Sequence, residues 1–263
     1  MQWEQLTWAD FDQAVTDTGV CILTMGVIEK HSDHLPLGTD TLNVHKIACM
    51  AAEQEPAVVF PPFYFGQIYE ARCFPGTITI EPKLLLALLE GVLDEIGRNG
   101  FRKIIIVNGH GGNRHLIPFL AQTMLWQEKP YSVYVAERIS ADRQEAWASI
   151  TETDYHGHAC ECETSVSLAN HPELVHMERV PDEPALPLGG LSHLLGNMSG
   201  ASWYANHPEH YAGDARTATE EKGRQLRELL IETLVEFIAA VKADETLPAL
   251  EAEFFGREDG LAR

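Results

Sequence analysis

The chain has 263 residues, 45% hydrophobic and 22% charged, enough to bury roughly three quarters of its extended surface and too apolar for a disordered chain. Nineteen Lys and Arg stand against thirty-nine Asp and Glu, a net charge of −20 that repels phosphate backbones and argues against general nucleic-acid binding. No apolar run approaches the roughly 18 residues of a membrane span, and five scattered cysteines do not read as a disulfide framework. The N-terminus lacks a basic segment followed by an apolar one, so no secretory signal is expected and the cytoplasm is the simplest compartment.

Thr7 and Asp10 have capping-box spacing and predict a short helix. Residues 20–28 form an apolar run that reads as a buried strand. Residues 40–53, with Leu42, Ile47, Ala48 and Ala51, read as helix, and 58–60 as a short strand. Pro82 suits a first helical position, Leu85, Leu88, Leu89, Val92, Leu93 and Ile96 mark one face, and Asn99-Gly100 stops the helix. Residues 101–107 are the clearest buried strand; 116–127 read as helix and 132–136 as strand. Several Pro and Gly make 181–201 a long loop or lid. Residues 217–220 open a long terminal helix with Leu226, Leu230, Leu234 and Phe237 on its apolar face. This alternation predicts an α/β three-layer sandwich, a mostly parallel sheet flanked by helices, as a single domain over 1–263.

Ligands gather at the carboxyl ends of strands in open parallel sheets. The first strong strand ends in a polar segment from Glu29 to Asp40 that holds Lys30, His31 and His34; the second ends in Asn108-Gly109-His110-Gly111-Gly112-Asn113. A third cluster, His156-Gly157-His158-Ala159-Cys160-Glu161-Cys162-Glu163-Thr164-Ser165, leads into an apolar helical stretch. Carboxylate plus imidazole is the ligand set for zinc, manganese or iron(II). Glu29 and His31, two apart, project to the same side of an extended backbone. Asp40, at the mouth of the next helix, can return to that point and bridge two ions with its two oxygens. The glycines around His110 permit close approach of a substrate. If the third cluster is helical, Glu161 lies one turn after His158 while Glu163 points about 140° away, which favours Glu161 as the partner of His158. His45 reads as structural, and His171, His176, His193, His207 and His210 as surface or lid residues, of which His193, with Trp203, could close over a substrate. Cys160 and Cys162 read as packing residues.

At these residues the sequence resembles the creatininase family, which carries Glu-x-His-Gly-x-His-Leu-Pro-x-x-x-Asp, Phe-Pro-Gly-Thr, Asn-Gly-His-Gly-Gly-Asn and His-Ala-Gly-Glu-x-Glu-Thr-Ser segments. Similar segments stand in this order at 29–40, 74–77, 108–113 and 158–165, and Gly213-Asp214 followed by Ala218-Thr219 is also similar. The resemblance implies a two-metal site and a homohexamer. By motif matching it makes Glu29, His31, Asp40 and His110 metal ligands, with Asp40 bridging, and His158 the catalytic acid-base residue. Creatininase itself carries a further ligand Glu where this chain has Gly112, and that role is assigned here to Glu161. His34, Lys30, Gly111, Gly112 and Glu70 complete the expected site as substrate contacts. Four departures stand out: Lys30 for a common Gln, Ser32 and Cys160 for common Gly, and Ala71 for an expected His.

The expected activity is hydrolysis of a carbon–nitrogen bond other than a peptide, in a cyclic amide or formamide of a small molecule. It would use two divalent ions (Zn, Mn or Fe(II)) that lower the pKa of water. Alternatives are an activity like that of formamidopyrimidine deformylase, a peptidase of a redox-cofactor precursor, or a non-catalytic metal-binding oligomer. A phosphate-binding loop is disfavoured by the charge and by the lack of a Gly-Lys-Ser/Thr ending.

Overall fold

The structure is a computed structural model and describes residues 1–136, 141–194 and 199–261. Helix α1 (Trp8–Thr18) leads into strand β1 (Val20–Met25), and α2 (Thr39–Gln54) into β2 (Val58–Val59). Helix α3 (Pro82–Arg98) precedes β3 (Lys103–Asn108), and α4 (Leu116–Thr123) precedes β4 (Ser132–Ala136). Then come α5 (Ala141–Ile150), α6 (Glu161–Asn170), the short α7 (Ser202–Asn206), α8 (Glu220–Ala243) and α9 (Thr246–Leu261). The strands pair in the order β2-β1-β3-β4, every pair parallel.

Alternation along the strands divides the core in two. Cys21, Leu23 and Met25 of β1 and Ile104 and Ile106 of β3 pack against Leu85, Leu89, Leu93 and Ile96 of α3 and Ile117 and Leu120 of α4. Val20, Ile22 and Ile105 face the other way, onto Ile47, Ala48 and Ala51 of α2 and Leu226, Ile231, Leu234 and Ile238 of α8. Each such aliphatic side chain contributes about 1.5–3 kcal/mol when fully buried. The result is the α/β sandwich expected from the alternation, with helices on both faces of a parallel sheet.

Local chemistry sets the ends. Thr7 caps α1 by accepting the Asp10 N–H. Glu81 caps α3 ahead of Pro82. Thr219 caps α8 by accepting the Lys222 N–H. Strand β1 ends at Met25, short of the expected residue 28, and α4 gives way after Thr123 to a 3-10 turn, Met124–Trp126. Helices α5 and α9 were not expected. The 181–201 segment is loop where described, with 195–198 outside the described residues, and α7 begins directly after it at Ser202. Among the described residues, no helix is long and apolar enough to cross a membrane.

The register matters most for the site. Met25 of β1 pairs with Asn108 of β3, so these two central strands end level. The segments that carry Glu29 and His110 therefore leave the sheet side by side.

Candidate metal centre

After β1 the chain folds back on itself, with the Glu29 N–H donating to Leu37 O, and this return brings Asp40 in the first turn of α2 opposite His31. Nδ1 of His31 lies 3.3 Å from Glu29 O and donates there, which turns Nε2 toward Asp40 Oδ1 at 3.1 Å. After β3, the His110 N–H takes Asn108 Oδ1, and its Nε2–H donates to Gln67 O at 2.9 Å. That bond fixes the tautomer and leaves Nδ1 facing inward, 2.9 Å from Glu29 Oε1 and 3.0 Å from Asp40 Oδ2.

Glu29 Oε1 and Asp40 Oδ2 are buried, yet neither has a hydrogen-bond partner. Leaving buried carboxylate oxygens unpaired is costly. Donor atoms bonded at about 2.0–2.2 Å to one cation lie roughly 3–3.5 Å apart. Each unpaired oxygen lies at about that distance from His110 Nδ1, and Glu29, His31 and Asp40 place donor atoms within 4.8 Å of one another, so the donor set fits a divalent ion. The two oxygens of Asp40 face different histidines, Oδ1 toward His31 and Oδ2 toward His110, the arrangement of a carboxylate shared between two positions.

His158 approaches from a third segment. Its backbone pairs with Ala212, and its Nε2–H donates to Lys30 O at 2.7 Å. Its ring lies 4.3 Å from that of His31. Ala159 then takes a left-handed φ of 53°, and Cys160 is the non-helical N-cap of α6. Residues 158–160 are thus not helical, and the spacing argument that joined Glu161 to His158 fails for that reason. The Glu161 carboxylate faces elsewhere. It accepts from the backbone N–H groups of Glu152 and Thr153, from Thr153 Oγ1 and from Lys222 Nζ at 2.5 Å. Burial raises its pKa, but Lys222, Thr153 and the two amides outweigh this and hold it at about 2. Glu161 ties the 152–153 segment and α8 to α6. Glu163, two residues on, turns toward the centre instead: its Oε2 accepts the Ala159 N–H at 2.5 Å, and it groups with His31 and His158 with donor atoms all within 4.8 Å.

The expected substrate contacts divide. His34 is buried, its Nε2 paired with Thr164 Oγ1 at 2.9 Å, and burial pushes it down to about 4, so it is a neutral imidazole joining its loop to α6. Lys30 places Nζ 4.6 Å from the Phe74 ring centroid and 3.9 Å from Glu209, at the rim. Glu70 accepts from Gln67 Nε2 at 2.6 Å, beside the carbonyl that orients His110. Gly111 opens a 3-10 turn with free space at its Cα. A Cβ on Gly112 would stand 2.4 Å from His110 Nε2 and 2.6 Å from Gln67 O, so the bare Cα is what lets the His110–Gln67 bond form.

His210, expected at the surface, is buried in the centre. Trp203 Nε1–H donates to its Nδ1 at 3.1 Å, so the proton is on Nε2, which donates to Glu29 Oε2 at 2.5 Å. A left-handed φ of 56° aims the ring. Its only sequence signal is its place just before the family-like Gly213-Asp214. Trp203 also sets its ring edge-on to His158, 6.2 Å away.

These contacts drive the histidines in opposite directions. Burial lowers the pKa of His31, but Asp40 and Glu29 outweigh it and raise it to about 9. His110 is raised well above its ordinary value in the same way, by Glu29 and Asp40 against burial. His158 is pushed down to about 3, chiefly by burial, with His31 and His210 adding to it. Burial raises Glu29, but His158, His110 and His210 hold its carboxyl well below the ordinary range.

A family model described as creatininase, creatinine amidohydrolase, matches residues 4–238. The chain belongs to the creatininase family. It is 29% identical over 214 residues to the mycofactocin precursor peptide peptidase of Mycolicibacterium smegmatis, covering 78% of each chain. It is 28% identical to the 3-dehydro-scyllo-inosose hydrolase of Thermotoga maritima, over 94% of this chain and 85% of that one. It is 27% identical to the creatinine amidohydrolase of Pseudomonas putida, over 93% and 96%. A manganese form of creatininase shares the fold, with a TM-score of 0.76 at 22% identity over 92% of this chain and 99% of that one. The creatininase relatives named here are hydrolases with different substrates, so membership carries the reaction class and leaves the substrate to the site.

Proposed function

We propose that this chain is a metal-dependent amidohydrolase acting on a cyclic amide or formamide of a small molecule. The observation that carries the reading is the buried convergence of Glu29 Oε1, Asp40 Oδ2 and His110 Nδ1, with both carboxylate oxygens unpaired. Glu29, His110 and Asp40 would hold one divalent ion, and His31, Asp40 and Glu163 a second; Zn, Mn and Fe(II) all suit this nitrogen and oxygen set. Such ions supply Lewis acidity and lower the pKa of water toward neutrality.

The chain's own groups complete the chemistry. His158 donates its Nε2–H to Lys30 O, which leaves the Nδ1 lone pair to take a proton from attacking water and return it to the leaving nitrogen. His210 holds Glu29 Oε2 and so directs Oε1 toward His110. Trp203 holds His210 in turn and screens His158 from solvent. Lys30, at the rim beside Phe74 and Glu209, would meet substrate.

A second reading, cleavage of a short peptide, is favoured by the 29% identity to a precursor peptide peptidase. The two separate in a panel of formamides, lactams and short peptides offered to protein loaded with Zn, Mn or Fe(II). We expect turnover of the small amides, and in Asp40→Ala a loss of bound metal with activity down by more than roughly 100-fold. Unchanged metal content and rate in that variant would overturn the mechanism. A preference for peptides would select the second reading.

A further inference from the structure

A second cluster of metal-binding side chains lies on the other side of the segment that carries His158 and Glu163. His156, Cys160 and Cys162 place Nδ1 and two Sγ atoms within 4.8 Å of one another, with Cys162 Sγ 3.3 Å from His156 Nδ1. None of the three belongs to the centre described above. Cys160 stands where the family motif commonly has Gly, and Cys162 at its unspecified position, so the cluster is a property of this chain rather than of the motif.

The local backbone explains the convergence. Cys160 is the extended N-cap of α6 and Cys162 lies in its first turn, so the change from extended to helical chain brings two thiols spaced by one residue toward the same point. Both thiols are buried, while His156 is exposed, so the cluster is rooted in the interior and closed at the rim by an imidazole. A tetrahedral ion with bonds of about 2.3 Å to sulfur and about 2.0–2.1 Å to nitrogen sets its ligands roughly 3.5–3.8 Å apart. The observed separations are within a small side-chain adjustment of that.

We propose that His156, Cys160 and Cys162 form a second, thiolate-rich cation site that takes Zn2+. Two sulfurs and one imidazole are a softer donor set than the carboxylates and histidines of the main centre, and soft ligands select Zn2+ over Mn2+ or Mg2+. Three protein ligands leave a fourth position open, as in zinc sites that bind a water or small molecule. That position opens onto a cavity of about 990 Å3, lined by the three ligands together with Trp147, Phe237 and Glu163. On binding, the two thiol protons pass to solvent and both sulfurs bond the ion. Because Glu163 follows Cys162 directly, an ion here also fixes the first turn of α6. The proposal does not depend on what the main centre hydrolyses.

The test uses the full-length protein with its main centre first saturated with Mn2+, followed by titration with Co2+. Thiolate-to-cobalt charge transfer in the near ultraviolet reports only a sulfur-ligated ion, since the main centre offers no sulfur. We expect that band to saturate at one equivalent, to vanish on adding Zn2+, and to be lost in Cys162→Ala and in Cys160→Gly. The second variant restores the residue of the family motif and so guards against a folding defect. His156→Ala should weaken Co2+ binding by at least tenfold. No band in the wild type, or an unchanged band in both cysteine variants, overturns the proposal, as does a Cys160–Cys162 disulfide found by mass spectrometry in freshly purified, reductant-free protein.

Discussion

The main centre's histidines differ in the protons they carry, and this gives a measurable pH dependence. His31, raised to about 9 by Asp40 and Glu29, is protonated near pH 7.5 in the metal-free protein, and Glu29 and Asp40 push His110 in the same direction. His34 and His158, pushed down to about 4 and about 3, are neutral there. A cation that takes His31 as a ligand must therefore displace its proton. Metal affinity should rise with pH until about pH 9, where the His31 contribution ends. Calorimetry in buffers of different ionisation enthalpy should show about one proton or more released near pH 7.5. No buffer dependence would mean that His31 is already neutral. The linkage sign is the same for folding: His31 stabilises the metal-free fold fully below its ordinary 6.5, and loses that contribution as the pH rises through about 9. At this scale the sequence was informative where geometry is local. Glu29 and His31 alternate on extended chain, and His110 ends a central strand. Which of Glu161 and Glu163 turns toward the centre was not legible, because it depends on where α6 starts. Nor was His210, whose contact with Glu29 spans 181 residues and follows no local pattern.

At the level of elements, Glu163 is positioned by the packing of α6 on α8. The closest point is Gly223, where an added Cβ would stand 1.8 Å from Ser165 O of the facing helix. Ser165 Oγ also accepts the Thr219 N–H at the start of α8, and Lys222 of the same first turn reaches Glu161. Gly223→Ala must push the helices apart and should cost about 1–3 kcal/mol or more. Gly91, inside α3, has open space around its Cα, so Gly91→Ala should gain about 1 kcal/mol from helix propensity alone. Urea midpoints of the two variants, moving in opposite directions, check both. Equal shifts would show that the α6–α8 contact gives way without cost. The strands and the helices with a broad apolar face were legible because burial imposes their periods of 2.0 and 3.6. Helix α9 was not, because it buries only Phe255 and docks on β4 partly through polar contacts such as Ser132 Oγ donating to Glu251.

Across the whole molecule, the charge of −20 and the buried carboxylates of the main centre act on stability in separable ways. Surface acid repels itself weakly and is screened over about 10 Å at 0.1 M salt, so added NaCl should raise the Tm modestly whether or not metal is bound. The buried pair is different. Glu29 Oε1 and Asp40 Oδ2 lie beyond the reach of bulk ions and accept no hydrogen bond, so a cation held there, as proposed above, would bind the folded chain and not the unfolded one. Such an ion stabilises by RT ln(1 + [L]/Kd), about 2.7 kcal/mol at a free concentration 100 times Kd. Chelation should therefore lower the wild-type Tm at constant ionic strength, and readdition of metal should restore it in proportion to the logarithm of its concentration. Asp40→Ala removes the oxygens placed between His31 and His110, so in protein loaded with Mn2+, which the proposed thiolate site does not favour, its Tm should be nearly indifferent to chelator while keeping the same response to NaCl. An equal response of both proteins to chelation would place the stabilising ion somewhere other than the cluster of Glu29, His31, Asp40 and His110.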